Sequence, residues 1–545
     1  MAKLITDLPA HLPNLTPLSW VLTLVALLFT TYVISSITAW YRLRHFPGPP
    51  LASFSYLWIV RVCASGRMAD IFAQTEAYYS DSHAEEQKGQ KGAYNDGQRH
   101  SVSPSTIRIG PNELLTSDPD VIRRTSAARS RYTRSTWYKL NTADPYADAM
   151  FNTLDTTTHD RIKAQTALGY AGRDNPGLER EVDGMIGVLV DKIRSQYAAA
   201  SLGENGGETK KPWLDLGCMT QFFTLDSISK VAFGEEFGMM ESERDVNGIV
   251  AVVRDTALAI TVVSVVPYLR TIFTSRFVLG LIGPSVKDKK GLGTMMRTGR
   301  IIVGKRFAQA DAKDEQDMLG SFMRHGLTQR QCEMEALFQI VAGSDTTATT
   351  IRCTMLYLMT TPRAYTRLQA EIDEGIRAGR ISSPITNAEA NAMPYLQAVI
   401  IESLRIFSPF TGLPFKVVPP EGDIIDGKPV PGGTLVAPNF WTTGQNRVLF
   451  GSDADVFRPE RWLEVDATQK AEMRRVAELA FGYGRWGCAG KMIAFLELNK
   501  VFVELLRRFD FQLVNPSRPW KSANFNLFFQ TEMWVSVVLR EGVEK

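Results

Sequence analysis

The chain has 545 residues, 44% of them hydrophobic and 22% charged, a balance that excludes a disordered, collagen-like or low-complexity protein. Sixty-one basic against 58 acidic residues leave a net charge of +3, too small for a dedicated nucleic-acid binder. Five scattered cysteines with no CxxC argue against a disulfide scaffold and for a reducing compartment.

No Asp, Glu, Lys or Arg occurs between Asp7 and Arg42. Within that window Leu18–Tyr41 reads as one apolar helix of about 36 Å, enough to cross a hydrocarbon core of about 30 Å. Trp20, Trp40 and Tyr41 mark its ends, and Arg42 and Arg44 follow at once, which places the main body in the cytoplasm. A cleaved signal peptide fits less well, because the apolar run is too long and only Lys3 precedes it. The expected division is therefore a short lumenal segment (1–17), a membrane span (18–41), a basic and proline-rich linker (42–50) and one domain (51–545).

Further along, Ser80–Ser105 and Ser201–Lys211 are polar and glycine-rich and read as solvated insertions. Helical patterns dominate: Gly184–Tyr197, Gln221–Phe233, Gln329–Thr360, Pro362–Arg377, Pro394–Phe407 and Lys491–Phe509. Ala257–Ile282, rich in Val, Ile and Leu, reads as a second apolar surface and a substrate entrance. Strand-like runs (Thr106–Ile109, Thr434–Pro438, Trp534–Leu539) are short and separated. The expected fold is a single large, mainly α domain with small sheets, not a βαβ chain.

Three segments carry chemistry. Thr328–Gln331 matches a capping box opening a long helix to Thr361-Pro362. In its middle Ala342–Thr347 (AGSDTT) is a run of poor helix formers among apolar neighbours, with Gly alone costing about 1 kcal/mol relative to Ala. It is either a kink with hydroxyls back-bonding to the preceding turn, or a proton-delivery site. In the second reading Gly343 makes room for a ligand, and Asp345 and Thr346 pass protons. Downstream, Glu402 and Arg405 share one face of an apolar helix and need further partners, which Arg461 of the FRPERW stretch can supply. Finally, Phe481–Gly490 (FGYGRWGCAG) places Cys488 just before a helix N-terminus, where the dipole and free N–H groups favour thiolate. Gly482, Gly484 and Gly487 also match GxGxxG, but no strand-led βαβ unit surrounds them.

In this order and spacing the segments resemble those of the cytochrome P-450 family, membrane-anchored haem-thiolate monooxygenases, over the chain from about Phe46 onward. RIGPNEL (Arg108–Leu114), Pro409–Pro420 and GRWGCAGK are similar to the fungal pisatin demethylase-like branch. The resemblance implies haem b with Cys488 as axial thiolate, Asp345 and Thr346 as the acid–alcohol pair, and Glu402, Arg405 and Arg461 as a structural triad. It implies haem contacts from Phe481 and Gly484. His159 and Lys163 stand at the family's W-x-x-x-R positions, making Lys163 a propionate partner, with Lys416 approaching similarly. One departure stands out. The loop arginine should lie two residues before the cysteine, where Trp486 stands, with Arg485 adjacent. Either Arg485 takes over the missing role, or Lys163 and Lys416 carry more of the charge, or a residue not yet named does so. Implied too are O2, an apolar small-molecule substrate of terpenoid, polyketide or alkaloid type, and no nucleic acid. Electrons would come from NADPH through cytochrome P-450 reductase, with cytochrome b5 as a further partner, at the endoplasmic reticulum membrane. A haem-thiolate isomerase or dehydratase that does not use O2 is the alternative, and a nicotinamide dehydrogenase a remoter one.

Overall fold

The computed structural model describes residues 16–90, 105–142, 144–199, 211–288, 290–309 and 314–540. Thr16 caps the first helix, Pro17–Leu43, through Ser19 N–H, and nearly every apolar side chain along it is exposed. At its base the chain locks onto the domain. Tyr32 and Ser36 hydroxyls donate to Phe54 O, Arg42 donates to Gly432 O, and Leu43 and Phe46 are buried in a small cluster with Leu114 and Val436. Segment 42–50, expected to be a spacer, is therefore packed against a sheet. At Gly48 a Cβ would lie 2.2 Å from Arg108 O, so only glycine fits this approach.

The core is helical because its central helices are apolar on more than one face. Leu216–Phe233 buries sixteen of its eighteen residues and lies against the long helix Gln329–Thr360. Leu178–Gln196, Pro394–Ile406 and Lys491–Leu506 complete the same cluster. Gln329–Thr360, Pro362–Arg377 and the strand Trp534–Leu539 have the expected bounds, and the other helices shift by a few residues. One expectation fails. Helix Met68–Gln90 runs eleven residues into the segment read as a loop, because Ala, Glu, Gln and Lys propagate a helix without an apolar face. The remainder, 91–104, and 201–210 of the second insertion lie outside the described residues.

Two sheet features position the site. A five-stranded sheet runs Thr106–Arg108, Glu113–Thr116, Leu435–Pro438, Lys416–Val417, Thr133–Arg134, and its last pair sets Arg134 directly opposite Lys416. A hairpin, Lys521–Phe525 with Leu527–Thr531, turns at Asn526 over the first half of the long helix.

Candidate functional site

The cysteine loop follows a 3-10 turn (Glu478–Phe481), not a strand, so the glycine pattern is not a dinucleotide fingerprint. Gly482 (φ +71°) and Gly484 (φ +56°) take left-handed backbone, and a Cβ on Gly484 would sit 2.5 Å from Ser126 O. Cys488 N–H closes the loop on Phe481 O at 2.7 Å. Its side chain is accessible although protein surrounds it closely, so it lines an internal cleft. Burial pushes the thiol up and outweighs the N–H groups of Gly490 and Lys491 and the charges of Lys163 and Lys491. The expected thiolate is thus not delivered by the helix terminus alone. Metal ligation is what deprotonates such a thiol.

The capping box at Thr328 and Gln331 is present, and the helix it opens passes unbroken through Ala342–Thr347. Thr346 Oγ1 donates to Ala342 O at 2.9 Å and Ser344 Oγ to Ile340 O at 2.7 Å, so the back-bonding occurs without breaking the helix. Val341, Ala342 and Thr346 form a partly open face, whereas Asp345 is buried towards Leu216–Phe233. There Asp345 lies in the electrostatic reach of Gln221 and Arg352, and Arg352 Nη2 donates to Gln221 Oε1 at 2.7 Å. Burial raises the Asp345 carboxyl to about 6, against the pull of Arg352. At Gly343 a Cβ would lie 2.8 Å from Ile228 Cγ1, so the glycine admits the neighbouring helix Leu216–Phe233.

Glu402, Arg405 and Arg461 do meet. Glu402, fully buried, accepts from Arg405 Nε (2.8 Å) and Nη2 (2.7 Å) and from Arg461 Nε (3.0 Å). Trp462 Nε1 (2.8 Å) and the Arg458 N–H (2.9 Å) complete its shell, and Asp453 pairs with Arg461 at 3.0 Å. Sequence reasoning missed Trp462 and Asp453. The satisfied carboxylate makes this a rigid structural knot.

Around Trp486 the structure brings together more charge than expected. His159, buried, packs its ring 4.5 Å from that of Trp486, and its Nδ1 faces Asp160 at 3.0 Å. Burial and the charges of Arg134 and Lys163 lower its pKa, keeping the ring neutral at pH 7. Lys163 Nζ donates to Arg485 O (2.6 Å) and Gly487 O (3.3 Å), bracing the loop. Arg485 turns away to Asp160 at 3.1 Å. Lys416, buried, donates to Tyr138 Oη at 2.8 Å and lies 4.3 Å from the Trp486 ring centre. Arg134, which sequence reasoning missed, covers the same ring at 4.3 Å, donates to three carbonyls and leaves Nε without a partner. In the sequence it is one of five arginines from Arg123 to Trp137, and nothing there singles it out.

Like charges placed directly opposite on a sheet destabilise it, and buried cations are costly without anions. Among the described residues neither Arg134 nor Lys416 has an ion-pair partner, and burial lowers the pKa of both. The Trp486 Nε1 is also buried and unpaired. A planar cofactor with two carboxylates beside the accessible Cys488 fits this donor set. Among the described residues no three His, Cys, Asp or Glu side chains cluster to hold a metal by themselves.

A helical fold with an accessible cysteine in a glycine loop, beside cations without ion-pair partners, fits a haem-thiolate protein. Comparison with known proteins agrees. The family model described as Cytochrome P450 matches residues 116–534, and the chain belongs to that family. It is 44% identical over 522 residues to cytochrome P450 monooxygenase ABA1 of Pyricularia oryzae, covering 96% of this chain and 97% of that one. Identity to cytochrome P450 monooxygenase aba1 of Botryotinia fuckeliana is 40% over 503 residues (92% and 93% covered). The crystal structure of the cytochrome P450DA heme domain shares the fold, with a TM-score of 0.67 at 14% identity over 91% of this chain and 98% of that one. The chain is a cytochrome P450 monooxygenase.

Proposed function

We propose that the chain oxidises apolar small molecules of fungal secondary metabolism at the endoplasmic reticulum membrane. The helix Pro17–Leu43 anchors it and the domain faces the cytoplasm, a reading supported by Arg42 and Arg44 after the apolar run. NADPH supplies the electrons through cytochrome P-450 reductase, with cytochrome b5 as a second donor. The observation that carries the reading is the accessible Cys488 beside cations that lack anions.

Haem, when bound, supplies the activation of dioxygen. The rest falls to the chain. Cys488 would hold the haem iron through its sulfur, and Phe481, Gly484 and Trp486 would shape the loop against the cofactor. Arg134 and Lys416 would meet the propionates, while Lys163 holds the loop backbone and His159 backs Trp486. With a pKa near 6, Asp345 exchanges protons readily around neutral pH, Arg352 lies close enough to pull its carboxyl down, and Thr346 presents a hydroxyl on the open face. The walls of the adjoining cavity, among them Trp137, Phe151, Leu337 and Phe338, select apolar substrates.

The ferrous–CO spectrum tests the reading. Native protein is expected to show the red-shifted thiolate band, and Cys488→Ser to lose it together with monooxygenase activity. Retention of both by the variant would remove Cys488 from the site.

A further inference from the structure

The cavity above the long helix is walled mainly by aromatic and aliphatic side chains: Phe151, Val253, Ile260, Leu337, Phe338 and Phe529. Thr142, Asp148, Asn152, Thr256, Thr261 and Asn526 interrupt this lining, and among the lining residues two buried polar atoms have no partner: the donor Trp137 Nε1 and the acceptor Asn526 Oδ1. Asn526 forms the tip of the hairpin, in left-handed backbone (φ +65°), and is only 7% exposed. Its Nδ2 donates to Thr261 Oγ1 at 2.8 Å, while its Oδ1 is buried with no partner.

The backbone of the tip is held in place, and the Thr261 contact orients the amide on it. Thr411 donates to Asn526 O from both its N–H (2.8 Å) and its hydroxyl (3.2 Å). Asn524 Nδ2 donates to Thr411 Oγ1 at 2.7 Å, and its Oδ1 accepts from Ala69 N–H at 2.9 Å. Asparagine tolerates left-handed backbone, yet glycine meets that requirement without a polar group in an apolar chamber. A buried acceptor without a donor costs about 1–3 kcal/mol, so the arrangement persists only if something else offsets it. The held amide and its free lone pairs supply what a ligand O–H needs.

We propose that Asn526 Oδ1 accepts a hydrogen bond from the substrate and so determines specificity. The substrate class is an otherwise apolar molecule carrying one hydroxyl or un-ionised carboxyl group, with Thr261 positioning the amide. The inference rests on reading this cavity as the substrate chamber of the monooxygenase.

The test uses full-length holoenzyme and calorimetric titration, so that binding is read without turnover. The probes are matched pairs of an alcohol and its methyl ether on three skeletons: a linear twelve-carbon chain, a hexylcyclohexane and a decalin. Each pair differs chiefly in the O–H donor. For at least one skeleton the native protein is expected to bind the alcohol about tenfold more tightly than the ether. Asn526→Gly, which keeps the left-handed turn, should equalise the pair. Thr261→Ala should narrow the gap by freeing the amide to turn and donate to the ether oxygen. Equal affinities in native protein for every pair, an ether preference, or an alcohol preference that survives Asn526→Gly would each overturn the proposal. Failure of the wider reading is told apart by the CO spectrum. A chain with the thiolate band and no alcohol preference loses only the role of Asn526.

Discussion

Trp486 occupies the position two before Cys488 where the family carries an arginine, and its surroundings indicate how the chain manages without one. The ring is covered by the Arg134 guanidinium and the Lys416 ammonium, each 4.3 Å from its centre, so the aromatic face holds two cations that would otherwise repel. Arg485 is committed to Asp160. Arg134→Met should therefore weaken haem retention by about tenfold, Arg134→Lys should restore part of it, and Arg485→Ala should be nearly silent. Haem per chain, measured as the pyridine complex, decides the matter: loss in Arg485→Ala with retention in Arg134→Met would reverse the assignment. At Thr346 the test is coupling. Thr346→Ala removes the hydroxyl from the open face and leaves Cys488 untouched, so haem stays bound while reducing equivalents go to hydrogen peroxide. Turnover that remained fully coupled would take Thr346 out of the proton path.

Among the elements the long helix holds most of the unusual chemistry. Gly343 lets it approach Leu216–Phe233, and a Cβ there would meet Ile228 at 2.8 Å. Gly343→Ala should cost roughly 1–3 kcal/mol by overpacking, and Ile228→Ala in the same chain should recover part of that loss. Equal thermal midpoints for native and Gly343→Ala would exclude the packing role. Two turns earlier, Glu335 is buried with Oε2 unpaired, and its pKa is raised by burial to about 7. Below about pH 4.5 the carboxyl is protonated in both folded and unfolded chains, and it contributes no pH dependence. Between about 4.5 and 7 the unfolded chain releases the proton while the folded one keeps it, so rising pH lowers stability. Above 7 both are ionised and the loss is complete. Glu335→Gln does not titrate, so its advantage over native protein should grow from about pH 4.5 to 7 and then level off, on the order of 2 kcal/mol. Thermal midpoints across that range measure it, and an advantage that is largest at acid pH would refute the argument.

For the whole molecule, the apolar helix Pro17–Leu43 lies near a second apolar surface. Helices Pro267–Phe273 and Arg276–Ile282 expose Tyr268, Ile272, Phe277, Leu281 and Ile282, with Phe277 78% exposed. Tyr56, just past the helix Pro17–Leu43, packs edge-on against Tyr268 at 6.0 Å between ring centres. A chain beginning at Arg42 should therefore still sediment with vesicles after a high-salt wash, and Phe277→Glu with Leu281→Glu should release it. Release of the truncated chain without these changes would assign membrane binding to Pro17–Leu43 alone.

The sequence by itself determined the helical class, the anchor-like apolar run, the long capped helix and the line-up of Glu402, Arg405 and Cys488. Each of these is written in local periodicity, in capping residues or in the order of short motifs, and needs no knowledge of what packs against what. The polar helix through Gln90 was less legible, because propensity without an apolar face leaves no periodic signal. Only the tertiary structure decided the burial that works against ionisation of the Cys488 thiol, the use of Gly343, the partners of Glu402 and the cation set at Trp486. Arg134 stands 352 positions before Trp486, and what joins them is a two-residue strand pairing and a loop that turns inward. Asn526 likewise becomes informative only when a hairpin tip is set over an apolar cavity with one acceptor unpaired. Such facts depend on burial and on contacts between distant segments, and desolvation, which sets their energies, exists only once the chain has folded.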